Sequence, residues 1–207
     1  MGFAPSSFLP ETGPGGLRAG EQSLWSQEGE RQVVTGIVLC GGKGRRLKQD
    51  KALLQIGGQS LVERVVRRLS VVCSPILVVV ADRDQQARLS ALLPDTKVLA
   101  DLRPGKGALG GVYTGLSVAS TKWGMVLACD MPFVSSDLLE YMISQRHSYD
   151  AIAPRARGLP EPLHALYSRS CLPTMEGLLD QDRLQVQRLF DSVNTRYVTE
   201  VEMATID

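Results

Sequence analysis

Histidine is nearly missing from this 207-residue sequence, which has only His147 and His164, and a site built on several imidazoles is not expected. Cysteine is sparse too. Cys40, Cys73, Cys129 and Cys171 stand far apart, with no pair at the two-residue separation that zinc sites and dithiol motifs use. Buried free thiols are therefore expected. The chain has no excess of either charge, since 23 Lys and Arg against 22 Asp and Glu leave a formal net charge of +1. That balance argues against a general nucleic-acid binder, whose basic excess spreads over a face. No apolar run reaches the roughly 18 residues a membrane span requires, and Ile76 to Ala81 is the best candidate. The first residues also lack the basic, apolar and small-residue succession of a secretory signal. A cytoplasmic protein with no membrane or nucleic-acid partner is expected.

With 43% hydrophobic residues, the chain can build one sizeable core. Residues 1–32 are rich in Pro, Gly, Ser and Glu without apolar periodicity, which reads as a disordered extension. Residues 33–207 form the expected domain, in which short β-rich runs alternate with amphipathic stretches of helical period. Strands are predicted at Val33 to Leu39, Ile76 to Ala81, Lys97 to Ala100, Met125 to Cys129, Ala151 to Ala153, Leu163 to Tyr167 and Tyr197 to Val201. Helices are predicted around Leu61 to Leu69 and Gln85 to Leu92, from the glycine-rich stretch Arg103 to Gly111 up to about Ala119, after the N-cap candidates Ser135, Ser136 and Asp137, and at Leu172 to Leu179 and Leu184 to Phe190. This alternation predicts a single α/β domain, a three-layer α/β/α arrangement around an open, mainly parallel Rossmann-like sheet.

Between the first strand and Ala52 lies the run Gly41-Gly42-Lys43-Gly44-Arg45-Arg46-Leu47-Lys48-Gln49-Asp50-Lys51. Glycines admit backbone N–H groups close to phosphate oxygens, and the cations can neutralise them. The loop lacks the Gly-Lys-Ser/Thr ending of a P-loop, and the third glycine of a dinucleotide fingerprint would fall on Leu47. Asp101 and a second glycine stretch, Gly105 to Gly111, follow the third strand, and Asp130 follows the fourth. In open parallel sheets ligands bind beyond the carboxyl ends of the strands. Cations, glycines and carboxylates would collect there, as a magnesium-dependent nucleotide site requires.

The pattern Leu39-x-Gly41-Gly42-x-x-x-Arg46-Leu47-x-x-Asp50-Lys51 resembles the signature of nucleotidyltransferases. With the blocks Asp101 to Gly107, Cys129 to Phe133 and Glu161 to Tyr167, it is similar to the molybdenum cofactor guanylyltransferase family, in order and spacing, from Thr35 to Phe190. The resemblance implies GMP transfer from GTP to molybdopterin, with release of pyrophosphate and with Mg2+ as cofactor. It implies that Leu39, Gly41, Gly42, Asp101 and Gly107 bind the nucleotide, that Arg46 and Lys51 hold the triphosphate and act catalytically, and that Asp130 ligates the metal. Molybdenum-insertion proteins and molybdoenzymes would be further partners. Two positions depart from the family pattern: Lys48 stands where a glycine is usual, and Gly107-Ala108-Leu109-Gly110-Gly111 replaces Gly-Pro-Leu-Ala-Gly. These leave open a relative with another nucleotide or acceptor, such as a molybdopterin cytidylyltransferase or a sugar-phosphate nucleotidyltransferase. A catalytically weak nucleotide-binding partner that delivers cofactor to a molybdoenzyme is a third reading.

Overall fold

A computed structural model of the chain describes residues 33–41 and 50–206. The expected extension over residues 1–32 lies outside them, as do Gly42, Lys43, Arg45, Arg46 and Lys48.

The chain enters through β1 (Thr35–Leu39). A short 3-10 turn, Lys51–Leu53, precedes a hairpin of β2 (Gln55–Ile56) and β3 (Gln59–Ser60). Helix α1 (Leu61–Leu69) begins at a capping box, in which Ser60 and Glu63 satisfy each other's backbone N–H groups. Then come β4 (Ile76–Val80), α2 (Arg83–Leu92), β5 (Lys97–Ala100), α3 (Gly107–Val118) and β6 (Trp123–Ala128). After α4 (Ser136–Ser144), capped by Ser135, one of the three candidates, the chain forms β7 (Ala151–Ala156), β8 (Leu159–Pro160) and β9 (His164–Ser168). It closes with α5 (Leu172–Asp180), α6 (Gln187–Phe190), β10 (Thr195–Val198) and α7 (Glu200–Met203).

The main sheet runs in the order β10-β7-β9-β6-β1-β4-β5, with β8 paired to β7. β5, β4, β1 and β6 are parallel neighbours, and β10 is parallel to β7. β9 runs antiparallel to both β6 and β7, and β8 is antiparallel to β7. The sheet is thus mixed but mainly parallel, with apolar residues buried on both faces. On one face Val62, Val65, Leu89, Leu139 and Met142 of α1, α2 and α4 pack on Val38, Val78, Met125 and Leu127. On the other, Leu109, Val112, Leu116, Met175 and Leu179 of α3 and α5 pack on Ile37, Leu39, Val79 and Val126.

Several predicted elements are corrected at their ends: β1 begins at Thr35, α2 at Arg83, and β7 runs on past Ala153 to Ala156. The last strand stops at Val198, because Thr199 and Glu202 form a second capping box that turns Val201 into α7. The helical pattern from Leu184 is realised only from Gln187.

Candidate active site

The order of strands reverses at β1. β4 and β5 lie on one side of it and β6 on the other, so the carboxyl ends of β1 and β6 flank a crevice of the kind that binds ligands. Leu39 ends β1 with its side chain buried, and Gly41 is exposed just beyond. Asp130 follows β6. Its carboxylate lies 3.6 Å from the Lys51 ammonium, the two side chains being 48% and 45% exposed. An ion pair so exposed is worth at most about 1 kcal/mol. A phosphate or a metal can therefore displace it at little cost, which suits groups that must serve a ligand.

Lys51 opens its 3-10 turn because the Asp50 side chain accepts a hydrogen bond from Ala52 N. Asp50 also lies 3.6 Å from the Arg88 guanidinium and accepts hydrogen bonds from the side chain of Gln85. It orients the turn that carries Lys51. Gln85 and Arg88 form no part of the sequence-predicted site. The available signal was a glutamine on the face of α2 that turns inward.

Asp101 takes a different role from Asp130. Its Oδ1 accepts from Arg103 N at 2.9 Å and from the Thr114 hydroxyl at 2.7 Å, while Thr114 in turn accepts from Leu102 N. It is therefore built into the loop and does not cap α3, whose N-cap is Lys106. β5 lies three strands from β6, so the two aspartates are separated laterally by about 14 Å at ordinary strand spacing. One metal ion cannot be held by both. The structure brings Leu39 and the second glycine stretch together, since a Cβ on Gly111 would meet the Leu39 side chain at 3.4 Å. Gly110 lies closer still to its neighbours: a Cβ there would come 2.9 Å from the Arg103 carbonyl and 3.0 Å from Asp101 Oδ2. Gly107 opens α3 with φ +62°, a left-handed conformation that glycine adopts freely.

The cations of this second loop are already paired. Arg103 lies 2.8 Å from Glu176 and stacks over Tyr113, and Lys106 lies 3.0 Å from Asp182. In and just after β7, which lies beyond β9 from β6 in the sheet, Arg155 stacks over the Tyr197 ring at 4.0 Å, and Arg157, at φ +52°, donates its backbone N–H to Glu200. His164 is held neutral, burial pulling its pKa down to about 4. All four cysteines are free and buried, as expected. Among the described residues no group of three or more His, Cys, Asp or Glu side chains could cage a metal. Of the predicted site, Leu39, Gly41, Lys51 and Asp130 gather at the ends of β1 and β6, and Asp101 and Gly107 lie along the same sheet edge. Gly42 and Arg46 fall outside the described residues.

The model of the MobA-like NTP transferase domain family matches residues 36–196. A protein of Methanothermobacter thermautotrophicus named probable molybdenum cofactor guanylyltransferase is 37% identical over 171 residues, 80% of this chain and 87% of that one. Its counterpart from Natronomonas pharaonis is 41% identical over 157 residues, 72% of this chain and 76% of that one. Among solved structures, molybdopterin-guanine dinucleotide biosynthesis protein A of Archaeoglobus fulgidus superposes with a TM-score of 0.74 at 27% identity, over 84% of this chain and 87% of its own. A CMP:2-keto-3-deoxy-manno-octonic acid synthetase complexed with CTP reaches a TM-score of 0.65 at 14% identity, over 81% and 90%. That likeness extends to the fold alone.

Proposed function

The chain belongs to the MobA-like NTP transferase family, and from that premise we propose that it transfers GMP from GTP to the phosphate of molybdopterin, releasing pyrophosphate. The observation that carries the reading is the Lys51–Asp130 pair beyond the carboxyl ends of β1 and β6. One cation and one carboxylate stand there within reach of each other, where a triphosphate and its counterion would meet.

In the reaction, an oxygen of the acceptor phosphate forms a bond to the α-phosphorus of GTP. The bond from that phosphorus to the β-phosphate oxygen breaks, and its electron pair leaves with pyrophosphate. The attacking group is already an anion, so no strong general base is required, and His164, held neutral with its Nε2 buried, is not asked to be one. Catalysis is positioning and electrostatic stabilisation. Lys51 holds the triphosphate and offsets the charge that grows on the leaving oxygens, with Arg46 from the same loop. Leu39 and Gly41 lie beside the nucleoside, while Asp101 and Gly107 meet the base or ribose end.

The residues present fit a magnesium ion. Asp130 is a half-exposed carboxylate whose only charged partner among the described residues is Lys51. Mg2+ commonly takes one or two protein carboxylates and fills its remaining positions with phosphate oxygens and water. Asp130 would hold it, and the ion would supply positive charge to the phosphates. We place the reaction in the cytoplasm, where four unpaired thiols persist. No helix among the described residues is long and apolar enough to cross a membrane.

The test is pyrophosphate release from GTP, CTP or ATP with magnesium, with and without molybdopterin. Release that requires molybdopterin and prefers GTP is expected. Preference for CTP or ATP would reassign the nucleotide, and GTP binding without release would reduce the protein to a carrier.

A further inference from the structure

One side chain holds both ends of the phosphate loop. Gln85 lies in the first turn of α2 and is only 8% exposed. Its Nε2 donates to the carbonyl of Cys40 at 2.8 Å and to the Asp50 carboxylate at 3.0 and 2.9 Å. Its Oε1 accepts from Ala81 N at 3.0 Å. Cys40 is the residue just before Gly41, where the loop leaves β1. Asp50 is where the loop returns, and Ala81 follows β4. A single buried amide thus ties the ends of two neighbouring strands to the residue that caps the Lys51 turn. Its helix is anchored in the same way, as Gln85 N donates to Asp82 at 2.9 Å. Arg88, one turn further along α2, faces the same carboxylate at 3.6 Å.

Removing this amide would leave the Ala81 N–H, the Cys40 carbonyl and the Asp50 carboxylate without their shared partner, and a buried polar group left unsatisfied carries its full desolvation penalty. The amide has two donors and an acceptor in fixed geometry, and here they meet three different chain segments. The turn beginning at Lys51 is only three residues long, and a 3-10 turn of that length has little stability of its own. Its placement depends on Asp50, and that of Asp50 on Gln85.

We infer that Gln85 is a positioning residue for the transfer reaction, acting through Asp50 on Lys51, with Arg88 as a weaker second support. The inference rests on the activity proposed above. Displacing a catalytic group by about 1 Å can cost on the order of a hundredfold in rate. Replacing Gln85 should therefore lower turnover by roughly ten- to a hundredfold. If the effect passes through Lys51, it should vanish where Lys51 is already gone.

The experiment is a double-mutant cycle on the full chain with Gln85→Leu, Lys51→Ala and the combination, reading kcat and KM for GTP together with thermal melts. The expected result is that the double variant turns over within about twofold of Lys51→Ala alone, because groups acting as one unit are non-additive. Losses that multiply in the double variant would overturn the inference and leave Gln85 a structural residue. Gln85→Asn, whose shorter amide cannot span the same three partners, serves if the leucine variant does not fold, and full turnover in it would equally overturn the inference. If the wild-type chain releases no pyrophosphate from GTP, the activity reading fails. The same cycle read as GTP dissociation constants by calorimetry then still decides whether Gln85 acts through Lys51.

Discussion

His164 stands at the first position of β9, opposite Leu127 of β6, and its Nε2 is buried without a hydrogen-bond partner among the described residues. Burial alone lowers its pKa from 6.5 to about 4, because a proton there would place an unpaired charge in the core. The unfolded chain regains the ordinary value, so between about pH 6.5 and about pH 4 it binds a proton that the native protein refuses. Stability contributed at this site is complete above that window and is lost as the pH falls through it. Urea midpoints taken at about pH 7 and about pH 5 should therefore drop more for the wild-type protein than for His164→Leu. Equal drops would show that the imidazole does not sense its burial. The residue was visible in the sequence as a strand histidine beside Leu163 and Ala165, but its missing partner was not, since that depends on what β6 and the neighbouring loops bring across to it.

Among the elements, α3 shows how a helix can be pressed against a sheet for the sake of a site. Gly111 and Gly115 lie one turn apart on its inner face. A Cβ on Gly115 would meet Ile37 at 2.5 Å, and one on Gly111 would meet Leu39 at 3.4 Å. The close approach sets the second glycine stretch directly over the end of β1. Gly177 in α5 has open space around it instead. Gly115→Ala should accordingly cost about 1–3 kcal/mol through overpacking, while Gly177→Ala should gain roughly 0.5–1 kcal/mol by narrowing the unfolded ensemble. Denaturant unfolding of the two variants checks the contrast, and a Gly115→Ala protein as stable as wild type would mean that the helix can simply step back. Elements with long periodic or uniformly apolar signals, such as β4, α1 and β5, were legible in the sequence to within a residue or two. The hairpin of β2 and β3 was not recognised, although Gly57-Gly58 between two short runs is a hairpin signal, because strands of two residues carry no readable alternation. The antiparallel direction of β9 has no local signature at all, since it is decided by the partner strands and by the path the chain takes through β8.

At the scale of the molecule, the candidate site is an edge and not a point. The sequence showed which residues end each strand, and these are the residues the fold lines up. It did not show the order of the strands, and strand order decides that Asp130 stands beside Lys51 while Asp101 lies three strands away. The buried link through Gln85 was hidden for the same reason, as its partners come from three separate segments. An extended ligand laid along this edge would meet Asp101 with its base or ribose end and Asp130 with its phosphates, so the two carboxylates should fail in different ways. Asp101→Asn keeps the acceptor atom that Arg103 and Thr114 use and removes the charge. It should raise KM for GTP by about tenfold, in the range of one hydrogen bond to a charged group, and leave kcat within a few-fold. Asp130→Ala should lower kcat by roughly 10²–10³, as the loss of a preorganised electrostatic group does, with a smaller change in KM. Sites more than about 10 Å apart that share no partner behave independently, so the double variant should show both defects multiplied. Steady-state kinetics on the four proteins decides this. Sub-multiplicative losses would mean that the carboxylates act on the same group after all, and that the ligand does not lie along the edge from β5 to β6.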